Sequence, residues 1–227
     1  MALIKFGMVV SDARGKLGGQ VFSKNRQGSY VRTKVTPVNA QTPFQQAVRD
    51  RLASFSAQWR ALSEAQRNAW NAAAPAFEGT NVFGDTVAPT GKNLFTRLNM
   101  NLVNIGNPPI TEPPTPAEVN TAGIQGVTAM ASGSIVLVTL SNEVTGSGVI
   151  VSGTAPLSAG INFFKNRVRQ IDSLGVIPGT ELDESAQWSN KFGELIAGQK
   201  LAFKLVFVNA TTGQASPPVF GSTIIGA

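Results

Sequence analysis

Histidine and cysteine are both missing from this 227-residue chain. Without cysteine there is no disulfide, no thiolate nucleophile and no cysteine metal site, and the redox compartment is left open. Without histidine the usual near-neutral proton shuttle and the commonest transition-metal ligand are gone as well. Charge is sparse: 14% of residues are Asp, Glu, Lys or Arg, against about 25% in ordinary soluble domains. Long apolar runs are lacking too. The opening MALIKFGMVV carries a lysine, is too short to span a bilayer and has no signal-peptide cleavage pattern. A soluble product of cytoplasmic synthesis is therefore expected.

These gaps leave little room for catalysis. A serine nucleophile would have only lysine as its base, and no S-x-x-K pattern offers one: Ser173 is followed at the fourth place by Val176, and Ser11 by Arg14. The glycine-lysine stretches GKLGG and PTGKN fail the phosphate-loop pattern, because Thr86 and Asn93 stand where Pro89-Thr90-Gly91-Lys92 would need a glycine and a Ser or Thr. The adjacent Asp183 and Glu184 suit a helix start, where negative charge opposes the macrodipole, better than a hydrolytic centre. The expectation is a protein that is not an enzyme, with no catalytic, cofactor or metal residues.

What the chain does have is basic charge, unevenly placed. Net charge is +6, but residues 1–105 hold 13 Lys and Arg against 5 Asp and Glu, which is +8, while residues 106–227 hold 6 against 8, which is −2. A basic half implies an acidic partner: nucleic acid, an anionic membrane or another protein's surface.

Periodicity divides the chain. Residues 1–41 form a basic N-terminal arm, in which Gln20 to Lys24 and Ser29 to Val35 flank Asn25, Arg26, Gln27 and Gly28 as a hairpin. Alternation puts Tyr30, Arg32 and Lys34 on one face of the second run and Val31, Thr33 and Val35 on the other. Residues 42–106 form a small helical bundle. Thr42 and Pro43 start a helix with apolar Phe44, Val48, Leu52, Phe55, Trp59 and Leu62. Ser63 and Gln66 form a capping box for a second helix. Leu94, Phe95, Leu98, Leu102 and Ile105 mark a third, stopped by Gly106. Residues 107–119 are a linker, extended and stiff because five prolines fall within residues 108–116. Residues 120–227 read as strands, at Ser134 to Leu140, Gly148 to Gly153, Ile161 to Ile171, Lys200 to Val208 and Gly221 to Ile225, with one helical insertion capped by Asp183. The fold class is α+β: hairpin arm, small helical bundle, then a β-sandwich of immunoglobulin or fibronectin type.

The candidate partner-binding residues are Lys16, Lys24, Arg26, Tyr30, Arg32 and Lys34. They could contact phosphates, in which case affinity falls steeply with salt. They could cross onto a neighbouring subunit and meet its carboxylates, for which arginine is well suited. Or they could be a solvated strand face. A second row, Lys165, Arg167 and Arg169, has strand spacing and reads as the wet side of the sandwich. Trp59, Trp70 and Trp188 read as core.

The residues GKLGGQVFSKNRQGSYVRTKVTPVNAQTPFQQAVRDRLASFSAQWRALSEAQRNAWNAAA resemble the N-terminal block of uncharacterised proteins from tailed-bacteriophage and prophage genomes. GKNLFTRLNMNL is similar to the segment that follows it there, and the proline linker and the closing GQKLAFKLVFVNATTGQASPPV to their sandwich-like tail. That resemblance implies a virion structural protein, such as a capsid accessory, head-tail connector or tail component. It would form a homo-oligomer in a symmetric assembly with other virion proteins and without a membrane. The alternatives are a phage nucleic-acid-binding protein touching packaged genome and, from the sandwich alone, a glycan-binding attachment module.

Overall fold

The computed structural model describes residues 2–36, 38–81 and 83–227, and the chain is mixed α and β. It begins with β1 (Ala2–Ile4), β2 (Gly15–Leu17), β3 (Gln20–Asn25) and β4 (Gly28–Thr33), which form one antiparallel sheet in the order β1-β4-β3-β2. The hairpin pairing expected from Asn25 to Gly28 is therefore present, set inside a four-stranded sheet. Gly28, at φ +120°, supplies the conformation that closes the turn.

Helix α1 (Pro43–Ala61) starts as its sequence dictates, with Pro43 in the first turn and the Thr42 hydroxyl accepting from the Gln45 amide at 3.3 Å. Helix α2 (Glu64–Ala73) opens on the Ser63/Gln66 capping box. A two-stranded ribbon, β5 (Gly79–Thr80) with β6 (Thr86–Val87), leads to α3 (Gly91–Asn104), whose Leu94, Phe95, Leu98 and Leu102 are all buried. Phe95 is the hub of the helical core. Phe55 and Trp70 meet its ring nearly edge-on at 6.3 and 5.3 Å, and Trp59 lies tilted at 5.5 Å.

Residues 107–119 adopt neither helix nor strand, as their prolines require, but they lie pinned to the helices. Asn99, fully buried on α3, donates its amide to the Ile110 carbonyl at 3.1 Å and accepts from the Ile110 amide at 2.6 Å. The Trp70 indole donates to the Thr111 carbonyl at 2.8 Å.

Seven further strands make two antiparallel sheets. β7 (Ile124–Met130), β8 (Ile135–Leu140) and β11 (Glu181–Asp183) run in the order β11-β8-β7. β9 (Ser147–Gly153), β10 (Arg169–Leu174), β12 (Lys200–Asn209) and β13 (Val219–Ile224) run β10-β9-β12-β13. Both contribute to one hydrophobic cluster, with Val136, Val138 and Leu140 from the first and Val149, Val151, Leu201, Phe203, Leu205 and Phe207 from the second. Helix α4 (Ser185–Phe192) adds Trp188, which is fully buried and donates to the Thr154 carbonyl at 3.0 Å. Asp183 accepts from the Ser185 amide at 3.0 Å, while Glu184 occupies the N-cap position itself.

Two strand expectations are corrected. Residues 161–168 are not strand: Ser158 and Phe164 begin turns that close on the amides of Ile161 and Arg167, and β9 offers partners only to residues 169–174. The row Lys165, Arg167, Arg169 therefore does not share a strand face. Lys165 instead lies 5.2 Å from the centre of the Phe220 ring. β7 and β11 lie outside the expected strands; the first is broken by a bulge between Ile124 and Gly126, and the second has only three residues.

α3 and the residues just after it also bind the rear of the chain. Asn101 donates to the Gly213 carbonyl at 2.9 Å and Asn107 to that of Ala210 at 2.7 Å. At Gly213 (φ +72°) a Cβ would collide with the Leu98 carbonyl, and at Gly175 it would sit 2.6 Å from that of Ile105. Glycine alone permits this approach. Asn99→Ala removes both bonds to the half-buried Ile110 backbone, so stability should fall by about 1–3 kcal/mol, read as a lower urea midpoint at unchanged slope.

Candidate interaction surface

The expected partner-binding residues all lie on or beside the N-terminal sheet, but its register distributes them over two faces. Val21 stands opposite both Lys16 and Arg32, and Leu3 opposite Tyr30, so Lys16, Tyr30 and Arg32 share one face with Val21 and Leu3. Lys24 is on the other face, with Phe22, Val31, Ile4 and Leu17. Arg26 occupies the turn, and Lys34 follows the strand end, its amide donating to the Gly19 carbonyl at 2.8 Å. The division into one cationic and one apolar face is therefore only partial, because Lys24 sits among the apolar residues. Among the described residues no ion pair engages Lys16, Lys24, Arg26, Arg32 or Lys34; the two pairs present are Lys5 with Asp85 at 3.0 Å and Arg14 with Asp12 at 3.3 Å. Asn81 and Lys5 hold the Asp85 carboxyl below its usual range by hydrogen bonding.

The second feature is one the sequence pattern concealed. Among the described residues none before Phe55 is buried, although residues 2–54 include a four-stranded sheet and three turns of α1. The amphipathic stripe of α1 reaches a core only from Phe55 onward. Phe44, Val48 and Leu52 are 76%, 58% and 49% exposed, and Met8 and Val9 stand fully in solvent. Nine of the sixteen exposed large apolar side chains among the described residues fall before residue 53. A sheet whose described side chains are at most half-buried and a helix segment outside the apolar cores are each marginal in isolation. Charge patterning could have found the cations; periodicity could not distinguish an apolar stripe facing this chain's core from one facing outward.

Two grooves flank α1. One, of about 750 Å³, lies between Phe44, Val48 and Arg51 on the helix and Ile171, Gln187 and Lys191 on the sheet side, with the Lys191 ammonium 5.0 Å from the Phe44 ring centre. The other, of about 460 Å³, runs between Leu52 and the α3 residues Lys92, Arg97 and Met100. Arg97 has its pKa lowered by partial desolvation.

One buried carboxyl lies apart from this surface. Glu184 is 1% exposed, and neither of its side-chain oxygens has a hydrogen-bond partner. Burial, with smaller contributions from the charges of Asp172 and Asp183, pushes its pKa up to about 8. Hydrogen bonds from Ser185 hold Asp183 low. Among the described residues no three Asp, Glu, His or Cys side chains are placed to hold a metal ion, and no helix is long and apolar enough to cross a membrane. Comparison with protein-family models, curated proteins and solved structures finds no match to this chain.

The Glu184 environment sets a pH dependence. Between its ordinary value of 4.5 and its folded value of about 8, the native state keeps a proton that the unfolded state gives up. Stability should then fall as pH rises through that window, by up to about 1.4 kcal/mol per unit, and level off above it. Asp183 acts with the opposite sign and only in acid, below its ordinary 3.8. Urea titrations at successive pH values from 5 to 8 should give a falling curve for the wild type and a flatter one for Glu184→Gln; parallel curves would contradict this account.

Proposed function

We propose that this chain is a structural component of a tailed-bacteriophage particle, held in a multi-copy assembly by its basic N-terminal region and performing no chemistry itself. The observation that carries this reading is the coreless front. Residues 2–54 are folded yet bury no described side chain, while displaying seven cations outside the ion pairs found among the described residues and nine large apolar residues. Surface of this kind belongs against another macromolecule. Cations on the hairpin supply orientation and encounter rate, and the apolar residues supply the area that burial can use.

The rear of the molecule fits a rigid module of immunoglobulin or fibronectin type. Lettering its seven strands A to G in chain order gives sheets A-B-E and D-C-F-G. That is the immunoglobulin constant arrangement with the fourth strand moved to the opposite sheet. Trp188 enters the core from α4 instead of from a strand. Such a module presents a body from which the front extends.

Replacing Arg26, Arg32 and Lys34 together by Ser should leave the far-ultraviolet circular dichroism and thermal midpoint unchanged, since all three side chains are exposed. Incorporation into particles should be lost when the variant is supplied in place of the wild type and virions are quantified by mass spectrometry. Normal particles with a full complement of the variant would refute the assembly role of the hairpin cations. Retention of the wild type on duplex DNA with a steep salt slope would favour the nucleic-acid reading.

A further inference from the structure

We infer that α1 is the seat of a second copy of this chain, bound front to back. The inference rests on the assembly reading above and names its partner. Along α1 the exposed Phe44, Val48 and Leu52 are bracketed by the two grooves, whose lining includes Arg51, Lys191, Lys92 and Arg97 but no carboxylate. An apolar strip between cations selects an occupant that is apolar and acidic at once. Nucleic acid would satisfy the cations while leaving Phe44, Val48 and Leu52 in water.

The same chain carries a surface of the required sign. From Leu98 to Phe164 there is no Lys or Arg, and Glu112, Glu118 and Glu143 in that stretch are exposed. The Asn120 amide donates to the Thr145 carbonyl at 2.8 Å, so the segments bearing Glu118 and Glu143 come together at one end of the sheets. A second α1 brings three arginines, Arg49, Arg51 and Arg60, and a single carboxylate, Asp50, so it lacks the negative charge that the cations of these grooves would pair with. Charge complementarity therefore favours a heterologous contact, which repeats into a ring or a filament instead of stopping at a pair.

Sedimentation velocity on the purified full chain tests this. The wild type should self-associate at roughly micromolar concentration, more weakly as salt rises. The variant carrying Phe44→Gln, Val48→Gln and Leu52→Gln should be about 100-fold weaker with unchanged circular dichroism, because glutamine keeps the helix and none of the three is buried. Arg51→Glu with Arg97→Glu, and separately Glu118→Lys with Glu143→Lys, should each weaken association about tenfold, and mixing the two variants should restore it. A wild type that stays monomeric up to roughly millimolar concentration, a glutamine variant that associates like the wild type, or a charge swap that restores nothing would overturn the proposal. Self-association by a chain that virions lack would sink the particle reading and leave this one standing.

Discussion

Hydrophobic burial in this molecule begins at one residue. From Phe55 onward, apolar side chains collect into two clusters, one around the Phe95 ring and one between the two rear sheets. Before Phe55 they collect nowhere. The edge-on and tilted aromatic contacts at Phe95 anchor α1, since at Phe55 and Trp59 the helix packs on the apolar core, while ahead of them Phe44 meets the body at the Lys191 ammonium. Twelve residues of helix and a sheet extend beyond that grip. Their shape follows from hairpin turns, a cap and ladder bonds, while the usual source of tertiary stability is missing from the isolated chain.

Much of the architecture was legible in the sequence. Thr42, Ser63 and Gly106 mark helix ends by mechanisms that act within four residues, so they survive any tertiary context. The period of α3 matched its burial because Leu94, Phe95, Leu98 and Leu102 all face one core. The failures have equally local causes. A run of β-branched and aromatic residues from Ile161 looked like strand, but a strand exists only where a neighbour offers its backbone, and β9 is too short to reach that far. In α1 the period was right and the implied destination wrong, because 3.6-residue spacing marks an apolar face without saying what lies against it. The candidate cations were found by charge alone; their division over two sheet faces needed the register.

The proline segment shows how a stretch without regular structure becomes part of the body. Its backbone cannot pair with a sheet, so buried side chains answer it instead: the Asn99 amide on both polar groups of Ile110 and the Trp70 indole on Thr111. Fixed in this way, the segment carries the start of the cation-free surface at a set distance from α1. Glu184 is the counterexample in the same molecule, a polar group whose burial nothing answers and whose neutrality is the only accommodation available.

The glycine contacts of α3 have a mechanical consequence. At Gly175 and Gly213 the backbones of the body touch without any side chain between them, which leaves no compressible layer where two packed units could slide. Force applied to the front of the chain would pass through α1 to Phe95, along α3 and into the sheets with little give. The molecule is a stiff shaft with a pliant handle, and elastic deformation under load would concentrate in the handle.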